Sequence, residues 1–287
     1  MQSALDLLSG RRFTVLTGAG VSTDSGIPDY RGPGAPARLP MTYSEFVSGS
    51  AARRRYWARS YLGWGRMHDA EPNPAHHAVA ALEAAGAVEL LVTQNVDGLH
   101  ERAGSRRMCA LHGRISEVVC LACTRTTSRA DLQERMDLDN PGFADRHHGT
   151  AARPDGDVDL DDTEEFRVPG CETCGGDLKP HVVFFGENVP KSRVQRCLDA
   201  VEAAEALLVA GSSLTVLSGF RFVRHAHRLG IPVVIVNRGV TRGDELATHK
   251  LEAGCAEFLA ALRQRVAGQD TSRRTESRTP TAASTSP

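Results

Sequence analysis

The chain has 287 residues, 41% hydrophobic and 24% charged, with a formal net charge of −1. These values fit one large globular domain accompanied by a small one. The near-neutral balance gives no global field for nucleic acid or an acidic membrane surface, and no apolar run is long enough to span a bilayer, so neither partner is expected.

In chain order, residues 1–10 lack a basic segment followed by an apolar run, and the seven cysteines make an odd total. Together these argue against a secreted disulfide framework and for the reducing cytoplasm. Residues 13–16 (Phe-Thr-Val-Leu) read as a buried strand, followed by Gly18, Ala19 and Gly20. A helix is predicted over 75–85. A second strand over 88–93 runs into Gln94, Asn95 and Asp97. Residues 118–179 then interrupt the pattern. Beyond them come a strand at 182–185, a helix at 189–204 and a strand at 206–210 that leads into Gly211, Ser212 and Ser213. A helix at 220–229, a strand at 232–236 ending in Asn237, Arg238 and Gly239, and a helix at 252–266 complete the series. The tail 268–287, rich in Ser, Thr and Arg, is expected to be disordered.

Strands alternating with helices predict an α/β protein with a Rossmann-like, doubly wound parallel sheet. Residues 1–117 and 180–267 would form it, around an inserted small domain at 118–179. In such sheets ligands sit beyond the carboxyl ends of the strands. Four strand ends here carry small or amide-bearing residues, which taken together are hard to read as ordinary turns. Nothing in the pattern sets an oligomeric state.

The interruption holds two Cys-x-x-Cys pairs, Cys120 with Cys123 and Cys171 with Cys174. Four thiolates at this spacing saturate a tetrahedral Zn²⁺ and leave no position for a substrate, which predicts one structural zinc. A redox pair or a nucleic-acid-binding ribbon competes with that reading. Redox pairs do not usually come two at a time, and no basic–aromatic interleaving accompanies the cysteines. The acidic stretch within 140–166 reads as a solvated insertion loop. The run from Gly18 is no dehydrogenase fingerprint, because Thr23 takes the third glycine position, and no Gly-Lys-Ser/Thr makes it a P-loop.

The segment Gly-Ala-Gly-Val-Ser-Thr-Asp-Ser-Gly-Ile-Pro-Asp-Tyr-Arg from Gly18 to Arg31 is much more specific than its glycines alone. With Thr93 to His100, Leu111-His112-Gly113, the four cysteines, Lys179 to Glu187, Gly211 to Leu214 and Asn237-Arg238-Gly239, it resembles the sirtuin family of NAD-dependent protein deacylases. The motifs occur in the family's order. Residues 55–59, 71–76 and 103–107 and the long insertion look most like the class II branch, which includes a mitochondrial sirtuin with lipoamidase and ADP-ribosyltransferase activities.

The resemblance implies roles. Gly18, Ala19 and Gly20 would face the NAD pyrophosphate, and Asp29, Tyr30 and Arg31 would belong to the cofactor loop. Gln94, Asn95 and Asp97 would hold the nicotinamide ribose and carboxamide, with Asn95 counted beside His112 as catalytic. Gly211, Ser212 and Ser213 would bind phosphate. Asn237, Arg238, Gly239 and Cys255 would lie toward the adenosine half. Val182, Val183, Phe184, Phe185 and Gly186 would clamp the acylated-lysine protein by strand addition. His112 would be the general base. In the family's reaction the acyl oxygen attacks C1′ of the nicotinamide ribose and nicotinamide departs. The base then activates the 2′-hydroxyl, and free lysine and O-acyl-ADP-ribose result. Mono-ADP-ribosyl transfer from the same NAD site is the alternative outcome. Tyr56 and Arg59, at i and i+3 of a predicted helix, resemble a pair that binds acidic acyl chains elsewhere in the family. The competing reading is a solvated face shared with Arg53, Arg54 and Arg55.

Overall fold

A computed structural model describes residues 1–29, 40–147, 160 and 162–276, with backbone alone for 269–276. From the N-terminus, α1 (Gln2–Ser9) precedes β1 (Phe13–Thr17), whose five residues are all buried. Then come α2 (Tyr43–Phe46), the long α3 (Ser50–Asp69) and α4 (Pro74–Ala84). Asn73 caps α4, its Oδ1 accepting from Ala75 N at 2.9 Å, and Pro74 fits the first turn because that turn needs no N–H there. After β2 (Val88–Thr93) follow α5 (Leu99–Arg102), β3 (Met108–Ala110), β4 (Gly113–Cys120), β5 (Thr126–Ser128), α6 (Arg129–Asp139) and α7 (Phe143–Arg146). The chain closes with β6 (Leu178–Val182), α8 (Lys191–Ala203), β7 (Ala206–Ala210), α9 (Leu217–Arg228), β8 (Val233–Val236), β9 (His249–Leu251) and α10 (Cys255–Glu276).

Six strands form one parallel sheet in the order β3-β2-β1-β7-β8-β9. Numbered within that sheet alone, this is the 3-2-1-4-5-6 order of dinucleotide-binding folds. Alternate residues face opposite ways, so β7 sends Ala206, Leu208 and Ala210 to a core shared with α1, α4 and α10. It sends Leu207 and Val209 to a second core under α8 and α9. Both faces are covered, which is why these strands read as near-continuous apolar runs.

A separate three-stranded antiparallel sheet, β5-β4-β6, carries the cysteines. Its core draws Leu132 and Met136 from α6 together with Phe46, Tyr56, Trp57 and Tyr61 from α2 and α3. Trp57 Nε1 donates to Leu178 O at 3.0 Å, and the Arg129 guanidinium lies 4.6 Å from the Trp64 ring centroid. The small module therefore recruits α2 and α3 from far upstream, and the boundaries expected at 117/118 and 179/180 cut through β4 and β6.

Several expectations need correction. Residues 182–185 do not form a strand of the parallel sheet. β6 ends at Val182, because Phe184 N donates to Glu187 Oε2 at 2.9 Å instead of to a ladder partner. Beyond it, Val183 N donates to His112 O, and a bridge joins Thr42 to Phe185. The insertion is not uniformly solvated, since Phe143, Leu160 and Phe166 are buried in the small module's core; residues 148–159 and 161 lie outside the described residues. Helix α10 runs past residue 268 to Glu276, because a helix already anchored by Phe258, Leu259 and Leu262 gains one hydrogen bond per added residue. Residues 277–287 lie outside the described residues. Among those described, no helix is long and apolar enough to cross a membrane.

Candidate active site

The parallel sheet reverses its winding between β1 and β7, and the turns after those strands meet there. Gly18 N donates to Ala210 O at 3.2 Å and Gly20 N to Gly211 O at 2.8 Å. A Cβ on Gly18 would stand 2.8 Å from Gly211 O, and one on Gly211, whose φ is +63°, would stand 2.5 Å from Val21 N. The glycines are thus fixed by turn-on-turn contact. They leave a surface bare of side chains, and the N–H groups of Gly18 and Gly20 are already engaged.

A cleft of about 770 Å³ opens over these turns and runs between the sheet and the small module. Gly18, Ala19, Gly20, Asp29, Gln94, Asn95, Asp97, His112, Gly211, Ser212, Ser213, Asn237, Arg238 and Gly239 all line it. Val182, Val183, Phe184, Phe185, Gly186 and Tyr56 line it from the other side. Tyr30 and Arg31 lie outside the described residues. Cys255 is not part of the lining. Its Sγ lies 3.9 Å from Val236 O, and burial pushes the thiol up to about 12. Arg59 is not brought to the cleft either. It is buried, and its Nε and Nη2 donate to Leu160 O at 2.9 and 2.8 Å.

His112 follows β3, and its backbone is held on both sides. Leu111 N donates to Thr93 O at 2.8 Å and Val183 N to His112 O at 2.7 Å. Gly113 has φ +86°, and a Cβ there would stand 2.0 Å from His181 O, so no other residue fits behind the imidazole. His112 Nδ1 is 2.9 Å from Gln94 O, and Nε2 is 2.8 Å from Ser218 Oγ. A carbonyl only accepts, so Nδ1 carries the proton and Nε2 presents its lone pair, with Ser218 as donor. Burial pushes the His112 pKa down to about 4, against the raising effect of the Gln94 carbonyl. The imidazole is neutral across the physiological range.

Asn95 and Asp97 belong to a polar hub whose other members, Ser22, Asn73 and His76, the sequence did not reveal. Asn73 N donates to His76 Nδ1 at 3.2 Å, so His76 carries its proton on Nε2, 3.4 Å from Ser22 Oγ. Asn95 Nδ2 donates to Ser22 Oγ at 3.0 Å and to Gly18 O at 3.1 Å. Ser22 in turn donates to Asp97 Oδ2 at 2.7 Å, while Leu99 N donates to Asp97 Oδ1 at 2.9 Å. Both amide hydrogens of Asn95 are used inside the protein, which leaves Oδ1 as the acceptor it offers to a ligand. Burial raises the Asp97 carboxyl and lowers His76 to about 4. The His100 ring packs edge-on against His76 at 4.7 Å. Ser22 and His76 form this hub only through folding, since 54 residues separate them.

The 182–187 turn is held by a largely buried ion pair. Lys179 Nζ lies 3.0 Å from Glu187 Oε2 and donates to Val182 O at 2.5 Å, beside the Phe184 ring. Phe184 also packs on Tyr56 and Phe46, with centroids 5.3 and 5.0 Å away. The four knuckle sulfurs lie within 4.8 Å of one another, with Cys120–Cys174 at 3.6 Å and Cys123–Cys171 at 3.8 Å. A tetrahedral site with Zn–S bonds of about 2.3 Å puts its sulfurs about 3.8 Å apart, so this set fits zinc. Peptide N–H groups of Thr173 and Cys174 pull the Cys171 thiol down, while at Cys174 the lowering pull of the Gly176 N–H is outweighed by the sulfur neighbours, which push that thiol up, the mutual repulsion that a bound cation would relieve. None of the four cysteines lines the cleft.

The sequence model described as "Sir2 family" matches residues 18–218. NAD-dependent protein deacetylase 1 of Mycobacterium avium (strain 104) is 54% identical over 259 residues, covering 89% of this chain and 92% of the relative. The NAD-dependent protein deacetylase of Xanthomonas axonopodis pv. citri (strain 306) is 53% identical over 256 residues, covering 88% and 87%. Among solved structures, one described as "Sir2-p53 peptide-NAD+" matches with a TM-score of 0.75 at 33% identity, covering 92% of this chain and 97% of that one. The family model and these relatives place the chain in the Sir2 family, the sirtuins.

Proposed function

We propose that the protein is an NAD-dependent protein-lysine deacylase that converts NAD, an acylated lysine and one water to nicotinamide, free lysine and O-acyl-ADP-ribose. The fixed tautomer of His112 carries this reading. Its unprotonated Nε2 accepts from Ser218 at rest, a bond that a substrate hydroxyl would replace, and His112 lines the same cleft as the turns of four parallel strands. Asn95 and Asp97, locked by Ser22, offer an amide oxygen and a carboxylate to the nicotinamide end of NAD. When the acyl oxygen attacks C1′, the C1′–N bond breaks and nicotinamide leaves with the electron pair. His112 Nε2 then takes the 2′-hydroxyl proton as that oxygen attacks the former acyl carbon, the lysine amine leaves that carbon with a proton, and water adds there to give the ester. The relatives named NAD-dependent protein deacetylases support the same assignment.

Zinc bound by the four cysteines would hold the antiparallel module and so the far wall of the cleft. Within the family we infer the class II branch, on residues 55–59, 71–76 and 103–107 and the insertion. Tyr56 belongs to the acyl-side wall, whereas Arg59 is committed to Leu160 and is left out of the acyl site. We keep the cytoplasm as the compartment, on the odd cysteine count. Mass spectrometry of an acetyl-lysine peptide incubated with NAD tests the function. Nicotinamide and O-acetyl-ADP-ribose in solution are expected. ADP-ribose attached to protein would favour the transferase alternative, and NADH would contradict both.

A further inference from the structure

Two arginines near His112 have no carboxylate partner among the described residues. Arg193 of α8 donates from Nη1 to Leu111 O at 3.1 Å, one residue before His112. Arg221 of α9 lines the cleft and stands one turn beyond Ser218, on the same helix face, and Ser218 Oγ contacts His112 Nε2. Both cations also press the His112 pKa downward, as close positive charges must. Neither makes an ion pair among the described residues. Lys191 and Arg224 are exposed on the same two helices, and neither helix has an acidic residue in its first turn. Along these two helices six Lys and Arg residues (191, 193, 196, 221, 224 and 228) outnumber two carboxylates, Asp199 and Glu202. A local surplus of positive charge therefore borders the catalytic base in a chain whose net charge is −1.

We propose that Arg221 selects acyl-lysine sites flanked by aspartate or glutamate. The proposal rests on the deacylase reading. A lysine whose acyl group lies by His112 brings its own backbone to the cleft mouth, where the exposed Arg221 meets the neighbouring residues. An Asp or Glu there gains a guanidinium partner, and a Lys or Arg there meets like charge. A carboxylate at the end of the acyl chain itself is the other source of the same chemistry, and exposed Arg221 suits the flank better than the tunnel.

The test uses the full chain with NAD and one acetyl-lysine peptide in three versions, with acidic, neutral or basic flanks, plus a succinyl-lysine version with neutral flanks. We expect kcat/KM to favour acidic over neutral flanks about three- to ten-fold at low salt, less as salt screens the pair. The ratio should fall toward one in Arg221→Gln, invert in Arg221→Glu and survive in Arg221→Lys. Ratios within one variant cancel any loss of folded enzyme. Turnover that ignores flanking charge overturns the proposal alone. So does an acidic preference unchanged in Arg221→Glu, or an Arg221 effect confined to the succinyl peptide. No turnover of any peptide overturns the deacylase reading and the proposal with it.

Discussion

At position 112 the protein solves a problem of proton bookkeeping with two neighbours. The Gln94 carbonyl can only hold a proton on Nδ1, and burial keeps the ring neutral, so Nε2 is a base at rest. An imidazole acting as base is active when deprotonated. With its pKa at about 4, activity should be lost on the acid side only as pH falls toward that value, not near the ordinary 6.5. A kcat/KM profile of the free enzyme checks this, and an acid limb centred above 6 would contradict it. Ser218 donates to the same Nε2 and so favours the neutral ring. Ser218→Ala should move the acid limb upward and leave kcat within about ten-fold of wild type. The motif around His112 was legible in the chain because its residues are contiguous. Its partner Ser218 was not, because 106 residues separate the two and only the packing of α9 brings them together.

At the scale of elements, the turn after β6 is the piece most exposed to failure. Its shape depends on Glu187, which takes both Lys179 Nζ and Phe184 N, and the Lys179 ammonium is shielded from water. Removing one partner of such a pair leaves the other charge unpaired in a dry setting. Glu187→Gln should raise KM for the acyl peptide by about ten-fold or more. KM for NAD should change less, which steady-state kinetics with each substrate varied would resolve. Arg59→Ala, by contrast, should leave acyl preference unchanged, because its guanidinium holds Leu160 rather than the cleft. The buried histidines add a pH term to folding. The unfolded chain takes up these protons near pH 6.5, whereas folded His76 and His112 do so only near 4. Stability is therefore fully present above about 6.5 and lost as pH falls through that window, and thermal unfolding across pH 4–7 should show Tm falling with acidity. The central strands β1, β2, β7 and β8 could be read from the chain because both faces are covered and most of their residues are apolar. The edge strands β3 and β9 could not, since three residues such as His-Lys-Leu carry no periodicity.

For the whole molecule, two bodies of different construction share one cleft. The parallel sheet is held by two apolar cores, while the small module sets a three-stranded sheet and borrowed helices around four sulfurs. Removing a ligand should unfold the module first. Cys171→Ser is expected to lose zinc by metal analysis and to lower Tm by about 5–10 °C, the equivalent of a few kcal/mol in a chain of this size. Retained zinc with unchanged Tm would contradict a structural role. The spacing of the cysteines announced this module, but its membership did not follow from sequence order. Trp57 and Tyr61 join it from α3 because their aromatic faces complete its core. The claim on which the account depends is that His112 acts after nicotinamide has left. The direct measurement is His112→Ala assayed in parallel for exchange of labelled nicotinamide into NAD and for O-acetyl-ADP-ribose, both with acetyl-lysine peptide present. Exchange should persist while O-acetyl-ADP-ribose falls at least a hundred-fold. Product formation at the wild-type rate, or loss of exchange in a folded variant that still binds NAD, would contradict the account.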